Sequence, residues 1–220
     1  MLKALIFDVD ETLVYYESYD ARKWFDDYLE PAFQRHNINV DFETYRKMVR
    51  GTLPRSYVEK FGIDHVEFWK LVDNVNLEYR KKLAEEGKIK PFPDAAQALN
   101  DLKFMGLKLA AVSNASQDCT EFVLKLFNLR GYFDVVFGKD YSHLDGVKPN
   151  PYLIQKALKT LDTKPQEAWV IGDSALDVVA AHKAGCKAVQ VLRFDNFCEE
   201  ADFHVKDLWE LVKLIKESEE

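Results

Sequence analysis

The chain has 220 residues, 47% hydrophobic and 30% charged, which is room for one large domain or for a core domain carrying a smaller one. A formal charge of −7 without a basic stripe excludes nucleic acid and anionic membranes as main partners. No apolar run is long enough to cross a bilayer, MLKALIFDVD lacks the features of a secretory signal, and the cysteines Cys119, Cys186 and Cys198 form no CxxC, so a reduced, cytoplasmic protein is expected.

The first element is Ala4–Phe7, a short continuous apolar run of the kind that forms a central parallel strand. It ends in Asp8, Asp10 and Glu11. From about Tyr16 to about Gly87 no strand pattern occurs. Helical patterns at Asp20–His36, Phe42–Val49 and His65–Glu85 replace it, crowded with aromatic residues that suit the core of a small helical bundle. PFPD (Pro91–Asp94) then starts a regular alternation. A helix over Asp94–Phe104 stops at Gly106, and a strand over Leu107–Asn114 leads to a helix over Ser116–Leu129. Phe133–Phe137 reads as a strand, and Pro151–Leu161 as a helix capped by Asn150. Glu167–Asp173 reads as a strand, Ala175–Ala184 as a helix ended by Gly185, Lys187–Leu192 as a strand, and Asp207–Glu217 as a closing amphipathic helix. The pattern predicts an α/β protein with a doubly wound parallel sheet in residues 1–15 and 88–220, and a helical insert over 16–87 placed to act as a lid.

Ligands of open α/β sheets collect at the carboxyl ends of strands. Asp8 and Asp10, two apart, point the same way there. Asp173 ends another strand in GDSALD, and Asp177 lies one turn into the next helix. If those strands are neighbours, four carboxylates converge, and two like charges roughly 4 Å apart cost about 4 kcal/mol at an effective dielectric near 20. Such a cluster needs a cation or raised pKa values, and an all-oxygen ligand set selects a hard ion such as Mg²⁺. Ser113 and Asn114 offer a hydroxyl and backbone N–H groups to an anionic oxygen, and Lys148 in VKPNP offers a point charge. Each residue also has an ordinary reading: turn acids, a Ser174–Asp177 capping box, a Ser116 cap, a solvated lysine. Their order along the chain makes coincidence improbable.

DVDET (Asp8–Thr12), VSN (Val112–Asn114), Lys148 in VKPNP and GDSALD (Gly172–Asp177) resemble, in order, the four signature motifs of the haloacid dehalogenase-like hydrolase superfamily. The branch it resembles has a helical cap after the first motif and includes phosphoglycolate phosphatase-like and β-phosphoglucomutase-like proteins. The resemblance implies a Rossmann-like core with a cap, and a Mg²⁺-dependent phosphatase that hydrolyses a small phosphomonoester through an aspartyl phosphate. It implies Asp8 as nucleophile, Asp10 as acid and base, and Thr12 as the residue that supports the loop and orients Asp10. Thr12, Ser113, the Asn114 backbone and Lys148 would hold the phosphoryl group. Asp8, the Asp10 carbonyl, Asp173 and Asp177 would hold Mg²⁺. Glu11 departs from the family, which often has glycine there.

A sugar phosphomutase is the alternative. A 2-haloacid dehalogenase fits less well, because it typically lacks the second aspartate of the first motif. A phospho-receiver module needs neither the insert nor GDxxxD. The expected partner is a small phosphorylated metabolite, with the chain a monomer or small homo-oligomer. In the insert, the loop RGTLPRS supplies Arg50, Thr52 and Arg55, and Arg55 is the candidate for reading a second anionic group, against the ordinary reading of a solvated turn.

Overall fold

The computed structural model describes residues 1–17, 19–194 and 196–218. In chain order the elements are β1 (Ala4–Phe7), β2 (Val14–Tyr16), α1 (Ala21–Trp24), a π-helical turn (Phe25–Leu29), α2 (Glu30–Arg35), α3 (Phe42–Val49), a 3₁₀ helix (Arg55–Phe61), α4 (His65–Glu85), β3 (Ile89–Pro91) and α5 (Ala95–Phe104). There follow β4 (Lys108–Ser116), α6 (Gln117–Leu126), β5 (Val135–Lys139), α7 (Tyr152–Thr160), β6 (Ala168–Gly172), α8 (Ala175–Ala184), β7 (Lys187–Val191), β8 (Phe203–Val205) and α9 (Leu208–Ser218). They form two compact units. One holds Met1–Tyr15, Lys90–Asp140 and the described residues from Gly146 onward; the other holds the described residues of Tyr16–Ile89 together with Tyr141–Asp145.

The first unit is a six-stranded parallel sheet in the order β5-β4-β1-β6-β7-β8. Its central strand β1 is wholly buried, which explains why it reads as unbroken apolar sequence. Alternation within the strands serves two layers. Ala4, Ile6, Ala110, Val112 and Val170 pack with Leu153, Ile154, Ala157 and Leu158 of α7 and with Val178 and Ala181 of α8. On the opposite face Phe7 meets Phe133 edge-on, and α5 packs with α9. Strand order reverses around β1, because the chain runs outward through β4 and β5 and then returns to β6 on its other side. That reversal opens a crevice at the carboxyl ends of β1, β4 and β6.

The second unit is helical around an aromatic core of Trp24, Phe25, Phe33, Phe68 and Trp69, closed by Leu29, Met48, Val58 and Val72. The expected helix over Asp20–His36 is interrupted by the π-helical turn just before Pro31. A proline cannot supply the next helical N–H and its ring crowds the preceding turn, so the helix widens there. Tyr141 and Leu144 pack into the same core, and the Tyr141 hydroxyl donates to Asp73 at 2.9 Å. The ribbon of β2 and β3 and the edge strand β8 were not expected from sequence, since three residues are too few to set an alternation.

Candidate active site

The parallel register sets Phe7 opposite Ala111 on one side and Ile171 on the other. One step further, Asp8 comes level with Val112 in β4 and with Gly172 at the end of β6, and its N–H donates to the Ile171 carbonyl at 2.8 Å. The chain then turns tightly. Glu11 sits in the left-handed region at φ 63° and donates its N–H to Val14 at 2.7 Å. A non-glycine residue pays about 1–2 kcal/mol for that conformation.

Asp8, Asp173 and Asp177 each present a carboxylate oxygen, all within 4.8 Å of one another. The Lys148 ammonium, 5% exposed, donates to Asp8 Oδ1 at 2.5 Å, to Asp177 Oδ1 at 2.6 Å and to the Val112 carbonyl at 3.1 Å. Its three donors are thereby used. One amine faces three acids, so negative charge stays in excess. Burial pushes the Asp8 carboxyl up to about 8; Lys148 opposes this, while Asp177 and Asp173 add to it. Burial and then Asp177 push Asp173 up to about 6. For Lys148, burial pulls down, but Asp177 and Asp8 outweigh it and raise the ammonium above its ordinary value.

The remaining groups are placed by local structure. Asn114 clasps the backbone of Lys148: its Nδ2 donates to the Lys148 carbonyl and its Oδ1 accepts the Lys148 N–H, both at 2.8 Å. Ser113 is 2% exposed, and its oxygen accepts the Ala115 N–H at 3.1 Å, which leaves the hydroxyl hydrogen to donate elsewhere. Ser174 and Asp177 form the capping box at the start of α8, with Asp177 Oδ2 accepting from the Ser174 hydroxyl at 2.6 Å. Asp177 therefore caps the helix and also pairs with Lys148, so its ordinary and functional readings hold together. Gly172 makes this possible, since a Cβ there would lie 2.3 Å from Asp177 Cγ.

Asp8, Asp10, Ser113, Asn114, Lys148, Asp173 and Asp177 all line one cavity of about 160 Å³. Two expected residues are not among those that line it. Thr12 is wholly buried and its hydroxyl has Asp8 Oδ2 at 3.2 Å and Asp173 Oδ1 at 3.5 Å, so it steadies Asp8 and presents no surface to a phosphate. Arg55 belongs to the helical unit. It is 5% exposed, lies over the Trp69 ring at 4.4 Å and donates its backbone N–H to Asp145, so the RGTLPRS segment is no solvated turn at this residue. Its Nη1 is buried with no hydrogen-bond partner among the described residues.

Sequence reasoning missed a layer behind the acids. Gln190, wholly buried in β7, donates to the Asp173 carbonyl at 2.8 Å, and Asn196 donates to Asp173 Oδ2 at 3.1 Å. Arg193 donates to the Thr12 carbonyl at 3.1 Å and to Asp94 at 2.8 Å. A glutamine inside the apolar run Lys187–Leu192 was the one local signal available.

The family model described as haloacid dehalogenase-like hydrolase matches residues 5–191. The phosphoglycolate phosphatase of Aquifex aeolicus is 29% identical over 87% of this chain and 85% of its own length. The pyrophosphatase PpaX of Bacillus mycoides is 36% identical over 53% of this chain and 51% of its own. Among solved structures, CbbY from Rhodobacter sphaeroides in complex with phosphate shares the fold at a TM-score of 0.71, with 22% identity and 96% of each chain covered.

Proposed function

The chain belongs to the haloacid dehalogenase-like hydrolases, in the branch with a helical cap, and from that premise we propose that it is a Mg²⁺-dependent phosphatase working through an aspartyl phosphate on Asp8. The observation that carries the reading is the Lys148 ammonium bridging Asp8 and Asp177, with Asp173 beside them, in one cavity with Asp10, Ser113 and Asn114.

The donor set fits a hard divalent ion. Three carboxylate oxygens lie within 4.8 Å, one amine leaves their charge uncompensated, and the Asp8 and Asp173 carboxyls are both raised. Asp8, Asp173, the Asp10 carbonyl and Asp177, directly or through water, would hold it. A bound Mg²⁺ would offset charge on the phosphoryl oxygens.

In the first step a carboxylate oxygen of Asp8 forms a bond to phosphorus while the bond to the leaving oxygen breaks. Asp10 gives that oxygen its proton. In the second step Asp10 takes a proton from water, the water oxygen bonds to phosphorus and the Asp8–phosphorus bond breaks, releasing inorganic phosphate. Lys148 and Thr12 keep the Asp8 carboxylate aimed throughout, one on each oxygen. The Ser113 hydroxyl and the Asn114 backbone N–H donate to phosphoryl oxygens, where preorganised donors lower the barrier most. The Asn114 side chain serves a different role, holding the Lys148 backbone through one donor and one acceptor bond.

Phosphoglycolate and pyrophosphate, the substrates in the relatives' names, are both small phosphates bearing a second anionic group. A small phosphomonoester of that kind is the proposed substrate class, with pyrophosphate the second reading on the strength of the PpaX relative. Arg55, a buried guanidinium with an unused donor, is the proposed reader of the second anion. The test is a phosphate-release screen over small phosphoesters and pyrophosphate, with and without EDTA, beside a sugar-phosphate isomerisation assay. Metal-dependent release of phosphate is expected. Isomerisation without release would point to a mutase and refute the hydrolytic reading.

A further inference from the structure

The stretch after β7 carries two side chains that this mechanism leaves unused, and each reaches a different acidic loop. The Arg193 side chain is 6% exposed. Its Nη2 donates to the Thr12 carbonyl at 3.1 Å, and the Thr12 hydroxyl in turn has Asp8 Oδ2 as its nearer acceptor at 3.2 Å, with Asp173 Oδ1 at 3.5 Å. Asp94 holds the guanidinium from the far side, and the Phe92 ring lies 3.9 Å from it. Asp94 occupies the N-cap position of α5, yet its side chain caps no N–H of that helix. It accepts instead from Arg193 and from the Leu208 N–H at the start of α9, at 2.7 Å. An aspartate at an N-cap normally stabilises its own helix by about 1 kcal/mol. Here that bond is given up to hold an arginine against the turn behind Asp8.

Asn196 serves the other loop. Its Nδ2 donates to the Asp173 carbonyl at 2.8 Å and to Asp173 Oδ2 at 3.1 Å. Its backbone carbonyl accepts from Gln190 at 2.7 Å, so the backbone that carries this side chain is anchored to the sheet. We propose that Arg193 and Asn196 are positioning residues with separate duties: Arg193 sets the nucleophile loop through Thr12, and Asn196 sets the metal-ligand loop through Asp173. The assignment rests on the phosphatase reading above.

The duties separate in measurement. Wild type, Asp8→Asn, Arg193→Gln, Arg193→Lys and Asn196→Ala are compared by thermal melting, by calorimetric titration with MgCl₂ without substrate, and by kcat and KM for p-nitrophenyl phosphate across Mg²⁺ concentrations. Asn196→Ala weakens Mg²⁺ binding by about 10-fold or more and regains most of its rate at saturating Mg²⁺. Arg193→Gln binds Mg²⁺ within about 2-fold of wild type but loses about 10-fold in kcat that Mg²⁺ does not restore, with KM unchanged. Arg193→Lys recovers part of that loss, because an ammonium keeps one of the two contacts. If Arg193→Gln does not fold, Arg193→Lys against Asn196→Ala carries the same comparison. Both substitutions lowering Mg²⁺ affinity and kcat together, in step with lost melting temperature, would overturn the proposal and leave a structural role. Wild type without Mg²⁺-dependent release, or release surviving in Asp8→Asn, would instead overturn the phosphatase reading and the Arg193 duty with it.

Discussion

Replacing Gly172 by alanine is expected to damage the site from behind without touching a reacting group. The new Cβ would stand 2.3 Å from Asp177 Cγ and 2.5 Å from its Cβ and Oδ2. Carbon atoms in contact prefer about 3.5–4 Å, so the gap must open by more than 1 Å. Asp177 cannot retreat freely. Its Oδ1 is held by Lys148 at 2.6 Å and its Oδ2 by the Ser174 hydroxyl at 2.6 Å. Either the carboxylate leaves both partners or β6 and α8 part. Overpacking costs about 1–3 kcal/mol, and breaking a buried charged pair about 3–5 kcal/mol. A loss near 4 kcal/mol lowers the melting temperature of a chain this size by roughly 10 °C. The decisive assay is a double-mutant cycle with Asp177→Gly, which removes all three atoms the new methyl would strike. Denaturant melts should show Gly172→Ala to be much cheaper in that background, with a coupling of about 2 kcal/mol or more. Additivity within about 0.5 kcal/mol would show that the glycine is not there to admit Asp177.

Asp8→Asn should abolish Mg²⁺-dependent phosphate release yet leave the protein folded, as circular dichroism and melting would show. The Asp8 carboxyl lies near 8 in the fold and near 4 in an unfolded chain, so the folded state holds the extra proton and stability falls as pH rises between those values. Melting in EDTA should show that decline in wild type and a flatter profile in Asp8→Asn, with the variant more stable at pH 8 by on the order of 2–4 kcal/mol; a less stable variant at pH 8 would contradict the crowding of acids. Arg55→Ala should raise KM for a substrate with a second anionic group at least 10-fold and leave p-nitrophenyl phosphate almost unchanged; equal effects on both count against Arg55 as the reader.

The strands that carry the acids were legible because a parallel strand covered on both faces must be apolar throughout. Asp8 and Asp173 therefore stand out as abrupt endings of β1 and β6. Ser113, Asn114 and Lys148 became legible through their order relative to those endings. The resemblance gave Thr12 to Asp10; its contact with Asp8 depends on the turn at Glu11, which no sequence pattern sets. Arg193 and Asp94 lie in different elements far apart in sequence, and neither differs locally from a solvated charge. No local pattern in Tyr141–Asp145 marks its place in the helical core, because a five-residue stretch carries no period of its own.

The Asn114–Lys148 clasp has a mechanical consequence. A short way upstream of Lys148, the chain at Tyr141–Asp145 is part of the helical unit. Disturbance there would run straight down the backbone to the ammonium if nothing intervened. Two hydrogen bonds to the Asn114 amide of β4 act as a bulkhead, tying the peptide of Lys148 to the sheet. The charge that steadies Asp8 is thereby held by backbone bonds of its own.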